Sequence, residues 1–231
     1  MILAERMLIP EDVDAILWDM DGVLLDTLTF DYELCNRLLQ RHLSADASVP
    51  RSAIREFFPY DLPEFWKRLV DCATSEKEPA DREALIAQLV GDHERERHAA
   101  VCPINKGIDE ILQAARQAGL KLAVVSNNPT AEVENMLARS GIRDRFDKVV
   151  GNDIENINKK PAPDTYLLAA RQLNVEPSRC VVVEDSLLGA EAGHNAGAFV
   201  IGVATGADEF NTLSASPFVD MPYTSFKTNA S

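Results

Sequence analysis

The sequence predicts an α/β fold: a doubly wound parallel sheet interrupted by an all-helical insert. Three observations carry this. After Cys102-Pro103, short apolar runs of strand length alternate with amphipathic stretches of helix length, several of them closed by glycine. Between 28 and 100 the apolar residues recur only at helical spacing. Ahead of that insert stands one isolated apolar run, Val13 to Leu17, which ends on Trp18-Asp19-Met20-Asp21-Gly22.

Residues 14–18 read as the first strand. Tyr32, Cys35, Leu38, Leu39 and His42 then predict a helix over Asp31 to Leu43, and Ser44 to Pro50 is a polar break. Ile54, Phe57 and Phe58 follow, stopped at Pro59. A second amphipathic stretch holds Phe65, Trp66, Leu69 and Val70, with Asp61 as its cap and Glu64 three residues on. Ser75 to Ala80 is a charged, proline-containing break. A third helix begins near Asp81 with Leu85, Ile86, Leu89 and Val90 and fades into the charged run His93 to His98. Segments 28–100 therefore form a separate helical domain, and 1–27 with 101–231 form the sheet domain.

In the second half the pattern predicts helices over Ile108–Ala118, Thr130–Ser140, Asp164–Leu173 and Leu187–Ala196. It predicts strands over Leu120–Val125, Lys148–Val150, Arg179–Val183 and Phe199–Ile201. Asp208–Leu213 reads as a short helix, Pro217-Phe218-Val219 as an edge strand, and the last residues as a loose tail.

The chain has 231 residues and a net charge of −14, which argues against binding a nucleic-acid backbone. It is compatible with a small anionic substrate, because a metal ion and a few placed cations reverse the local field. The four cysteines, Cys35, Cys72, Cys102 and Cys180, have no metal-ligand spacing and suit a reduced, cytoplasmic protein. Met1 to Pro10 does not resemble a signal peptide, and no stretch reaches the length of a membrane span.

In open sheets of this kind, ligands bind beyond the carboxyl ends of the strands. Those ends carry Asp19-Met20-Asp21, Ser126-Asn127-Asn128-Pro129, Gly151-Asn152-Asp153 with Lys159-Lys160-Pro161 beyond it, and Glu184-Asp185-Ser186. Side chains two apart on an extended chain point the same way, so Asp19 and Asp21 converge. Two like charges so close need a cation or a proton between them. Singly, each cluster also reads as a helix start or a solvated loop: Ser126 as an N-cap, Lys160 as a surface lysine, Glu184-Asp185 as acids at a helix N-terminus. Jointly they present hard oxygen ligands suited to Mg²⁺, a carboxylate able to attack phosphorus, a second able to move a proton, and donors for phosphoryl oxygens.

Four segments in this order resemble the haloacid dehalogenase (HAD) superfamily, in its subgroup of β-phosphoglucomutase and small sugar-phosphate and phosphoglycolate phosphatases. They are Asp19-Met20-Asp21-Gly22-Val23, Val124-Val125-Ser126-Asn127, Lys160-Pro161-Ala162-Pro163-Asp164 and Val183-Glu184-Asp185-Ser186. The resemblance implies a Rossmann-like core with a helical cap that closes over the site, hinged near Thr27 and near Ala100 to Asn105. It implies Asp19 as nucleophile and metal ligand, and Asp21 as general acid/base that also binds Mg²⁺ through its carbonyl. Ser126, Asn127 and Lys160 would bind the phosphoryl group. Asp185 would be a metal ligand, with Glu184 beside it as a further ligand or a partner behind the ligands. The expected enzyme is a Mg²⁺-dependent phosphatase of a small phosphorylated metabolite, acting through an aspartyl-phosphate, often a monomer in this class, and without nucleic-acid or membrane partners.

A sugar-phosphate mutase is the alternative. The mutase type carries a histidine in the first cap helix, whereas Thr29-Phe30-Asp31-Tyr32 stands there and no histidine precedes His42. The cap has no glycine between Gly22 and Gly91, and Lys106-Gly107 replaces the usual proline-glycine turn. Asp21 argues against a true dehalogenase, which does not need the second aspartate. A phosphonate-cleaving relative would need a Schiff-base lysine, for which Lys67 and Lys77 are the cap residues available. Arg51, Arg55 and Lys67 are the cap cations that could meet a second anionic group.

Overall fold

The computed structural model describes residues 2–3, 7–58, 60–73, 81–204 and 207–224. The chain divides into two compact units, Met1–Asp26 with Pro103–Ser231, and Thr27–Cys102. In chain order the first unit opens with strands β1 (Ile2–Leu3), β2 (Met7–Leu8) and β3 (Ala15–Trp18). The second unit holds helices α1 (Thr27–His42), α2 (Arg51–Phe57), α3 (Leu62–Ala73) and α4 (Arg82–Ala99). The first unit then resumes with α5 (Ile108–Gln117), β4 (Lys121–Val125), α6 (Thr130–Arg139), β5 (Lys148–Val150), α7 (Asp164–Leu173), β6 (Cys180–Glu184), α8 (Leu187–Asn195), β7 (Phe199–Ala204), α9 (Ala207–Ser214) and β8 (Met221–Thr224).

Six strands form one parallel sheet in the order β5-β4-β3-β6-β7-β8. β3 lies between β4 and β6, with Trp18 opposite both Val124 and Val183. This is the point where strand order reverses, the place where ligands bind in open sheets of this kind. Every residue of β3 and β6 is buried, which explains the apolar runs Ala15–Trp18 and Cys180–Val183. α7 packs on β3, β4 and β5, while α8 packs on β6 and β7. Tyr166, Ala169 and Leu173 of α7 and Ala190 and Ala192 of α8 belong to the same apolar core.

Two expectations change. The edge strand is Met221–Thr224, not Pro217–Val219, which lies in the turn before it. Asp220 anchors that strand: its N–H donates to the Val200 carbonyl at 3.0 Å, and its carboxylate accepts from the Val200 N–H at 2.7 Å. Pro222 is tolerated there because an edge strand has only one neighbour to bond. α1 starts at Thr27 rather than Asp31, because the preceding loop is tight: the N–H groups of Leu24 and Leu25 both donate to the Met20 carbonyl. β1 and β2, an antiparallel pair, are an addition to the expected elements. Pro59, the break Ser75 to Ala80 with Lys77, and the tail lie outside the described residues.

The helical unit has its own core, built from Leu34, Leu38, Ile54, Trp66, Leu69 and Leu89 among others. α1 packs on α2 and α4, and α3 on α2 and α4. Asp61 accepts from the Glu64 N–H at 2.9 Å and Asp81 from the Ala84 N–H at 3.0 Å, so both caps are formed. A buried ion pair, Asp31 with Arg97, joins α1 to α4. Beside it His93 is buried edge-on to Trp66 and Phe65, at ring distances of 5.7 and 6.1 Å. Burial, assisted by Arg97, depresses the imidazole from its usual range to about 3. The folded histidine is therefore neutral, whereas the unfolded chain protonates it below about pH 6.5. Stability is complete above that pH and falls as pH drops towards 3, by about 1.4 kcal/mol per pH unit. His93→Phe should remove this contribution. In urea titrations at pH 7 and pH 5, the wild type should lose roughly 2 kcal/mol more than the variant. Equal losses would contradict a neutral buried histidine.

Among the described residues no helix is long and apolar enough to cross a membrane.

Candidate active site

β3 delivers Asp19 to the carboxyl edge of the sheet, where its N–H still donates to the Val183 carbonyl at 3.0 Å. The chain then turns at Gly22, whose φ of +78° suits glycine. A Cβ there would stand 2.2 Å from Asp185 Oδ2, so the missing side chain also brings the two loops together. Asn105, outside the expected set, fixes the turn from the other side. Its amide nitrogen donates to the carbonyls of Gly22 and Val23, both at 2.9 Å, and its N–H to that of Leu24 at 2.9 Å.

Lys160 reaches the centre of the site from the loop before α7. Its ammonium donates to Asp19 Oδ1 at 2.6 Å, Glu184 Oε1 at 2.6 Å and the Val125 carbonyl at 2.9 Å. These three bonds use all the donors of a lysine. Burial lowers the ammonium's affinity for its proton, but Asp19 and Glu184 outweigh burial and hold the pKa well above the usual lysine range. Lys160 is thus a buried, charged residue rather than a solvated loop lysine. Asn127 holds its backbone: the side-chain oxygen accepts from the Lys160 N–H at 3.0 Å. Ser126 is buried, and its hydroxyl oxygen accepts from the Asn128 N–H at 3.1 Å, which leaves the hydroxyl hydrogen to donate.

Asp21, two residues beyond Asp19, accepts at Oδ2 from the Asn128 amide at 2.6 Å. Asn128 is in turn held through its carbonyl by the Asn152 N–H at 3.0 Å. Asn128 stands outside the expected site set, next to Asn127. The Ser-Asn-Asn-Pro order is a usable signal for it, since Asn127 and Asn128 leave the end of β4 in different directions.

Glu184, the last residue of β6, is buried with both oxygens engaged. Oε1 accepts from Lys160 and from the Tyr166 hydroxyl at 2.8 Å, and Oε2 from the Ser186 hydroxyl at 3.0 Å. Gly189 makes room for it, because a Cβ there would lie 1.8 Å from Oε1. Carboxylate oxygens of Asp19, Glu184 and Asp185 lie within 4.8 Å of one another. Burial first, then Glu184, Asp185 and Asp21, raise the Asp19 carboxyl well above its usual range despite Lys160. Four carboxylates thus face one ammonium, and an all-oxygen donor set of this kind fits a hard divalent cation.

The family model of the haloacid dehalogenase-like hydrolases matches residues 13–197. Among similar proteins, a phosphorylated carbohydrates phosphatase of Thermotoga maritima is 29% identical over 193 residues, covering 80% of this chain and 82% of that one. An N-acetylmuramic acid 6-phosphate phosphatase of Pseudomonas aeruginosa is 30% identical over 194 residues, covering 79% and 78%. A crystal structure of a HAD family hydrolase from Deinococcus radiodurans, with bound phosphate and sodium, shares the fold. Its TM-score is 0.77 at 24% identity, covering 94% of this chain and 93% of that one. The strand-end geometry and the match over most of its length agree: the chain belongs to the haloacid dehalogenase-like hydrolases.

Proposed function

We propose that the enzyme is a Mg²⁺-dependent phosphatase that hydrolyses a small phosphorylated metabolite through an aspartyl-phosphate on Asp19. The observation that carries this reading is the Asp19–Lys160–Asp21 arrangement. One carboxylate bonds an ammonium at 2.6 Å, and a second, two residues on, is bonded by an amide. Asp19 and Asp185, with the Asp21 carbonyl, would hold the magnesium ion, which when bound offsets negative charge on carboxylates and phosphoryl oxygens. Glu184 stands beside them, engaged with Lys160, Tyr166 and Ser186.

In the first step an Asp19 oxygen bonds to phosphorus as the ester oxygen leaves, and Asp21 gives that oxygen a proton. Asp21, now ionised, takes a proton from water, whose oxygen attacks the phosphorus and releases Asp19. The Ser126 hydroxyl and Lys160, which exchanges one of its three present bonds for it, hold the phosphoryl oxygens, with Asn127 setting the position of the Lys160 loop. The unit Thr27–Cys102 would be the cap that selects the substrate. Both named phosphatase relatives act on phosphorylated sugars, which supports a sugar phosphate or a small phosphorylated acid such as phosphoglycolate. Four free thiols, one of them exposed, fit a cytoplasmic protein, and a monomer is the assembly we propose.

A phosphate-release screen over sugar phosphates, phosphoglycolate and nucleotides tests the reading. Release should require Mg²⁺, fall to background in EDTA and return with excess Mg²⁺. A hexose 1-phosphate isomerised without free phosphate would place the enzyme with the mutases instead.

A further inference from the structure

Tyr166 lies in the first turn of α7, six residues beyond Lys160, and is fully buried in the apolar core beneath the site. Packing alone does not account for it, since phenylalanine would fill the same space without a hydroxyl to bury. The hydroxyl is used: it donates to Glu184 Oε1 at 2.8 Å, the oxygen that Lys160 also bonds at 2.6 Å. The ring faces the same ammonium, with Nζ 4.8 Å from its centre. Burial first, then the Glu184 carboxylate, push the phenol well above its usual range, so it remains the donor in this bond. Tyr166 therefore touches both members of the Lys160–Glu184 ion pair.

We propose that Tyr166 is a positioning residue. By sharing Glu184 Oε1 with Lys160, it limits the pull of that carboxylate on the ammonium and keeps Nζ directed at Asp19 and the transferring phosphoryl group. This rests on the phosphatase reading above. Without the hydroxyl, Oε1 has Lys160 as its remaining donor of this pair. The Lys160–Glu184 contact tightens, and Nζ is drawn from Asp19. The lysine would then stabilise the transferring group less well while the site that admits substrate stays intact.

The test is a double-mutant cycle on phosphate release with Tyr166→Phe, Glu184→Gln and both together. Tyr166→Phe should fold with an unchanged melting profile and lose about tenfold in kcat with KM altered less than about twofold. The loss should largely vanish in the Glu184→Gln background, because the hydroxyl acts through that carboxylate. A kcat within about twofold of wild type, or the same loss in both backgrounds, overturns the proposal. A second readout does not depend on turnover: the Lys160 Nζ resonance in ¹⁵N-lysine spectra, assigned by its loss in Lys160→Arg. Tyr166→Phe should shift it, and an unmoved resonance overturns the proposal. If wild-type protein releases no phosphate from any substrate, the proposed function is what fails, and the resonance alone decides whether Tyr166 positions Lys160.

Discussion

Asp19→Asn is expected to abolish phosphate release, by at least about four orders of magnitude, while the protein stays folded. An amide cannot form the acyl-phosphate, and Asp21, the other carboxylate at the end of β3, is held by the Asn128 amide instead. Stability should not suffer. Asp19 is buried, and burial together with Glu184, Asp185 and Asp21 already disfavours its charged form. Removing that charge relieves the cluster, and Lys160 keeps Glu184 and the Val125 carbonyl as acceptors. The melting temperature of the variant should therefore equal or exceed that of the wild type. Residual turnover above about one part in a thousand would exclude Asp19 as the nucleophile.

Lys160→Met is expected to cost both activity and stability, the reverse of Asp19→Asn on the second count. The lysine side chain is 3% exposed and bonds two carboxylates, one of which, Glu184, is 1% exposed. Removing one partner of a buried ion pair leaves uncompensated charge, typically at a cost of about 3–5 kcal/mol. Asp19 and Glu184 would then face each other with no cation between them. In EDTA the deficit, read from urea unfolding, should be largest near neutral pH. It should narrow on acidification, because protonating a carboxylate removes the repulsion. A variant as stable as the wild type at pH 7 would mean that the ammonium is not the ion that balances this cluster.

Much of this site is legible in the sequence because each of its chemical groups follows an apolar run. Asp19, Ser126 and Glu184-Asp185 come directly off β3, β4 and β6, so recognising a parallel sheet is enough to bring them to one edge. Lys160 is harder, since it follows β5 by ten residues, and only its place in the four-segment pattern separates it from Lys159. The supporting residues have no such signal. Asn105 bonds carbonyls 82 and 83 residues away, and Asn128 bonds a carboxylate 107 residues away. Tyr166 reads as one more apolar residue of α7 until Glu184 is placed 2.8 Å from its hydroxyl. The edge strand at Met221–Thr224 eluded the pattern for a related reason. Pro217-Phe218-Val219 is the more apolar run, but pairing with β7 is set by the bonds of Asp220 to Val200. In the helical unit the caps at Asp61 and Asp81 are local and readable, whereas the Asp31–Arg97 pair joins residues 66 positions apart.

The central claim is that the phosphoryl group passes through Asp19. Enzyme mixed with Mg²⁺ and its best substrate, quenched in acid during the first turnover and reduced with borohydride, should carry homoserine in place of aspartate at position 19. Mass spectrometry of the peptide that contains Trp18 to Leu25 reads this directly. The account predicts homoserine at Asp19 and none at Asp21, with no such product in Asp19→Asn. Phosphate release that proceeds at full rate with no trapped product, or homoserine found at Asp21 or Asp185 instead, would contradict it.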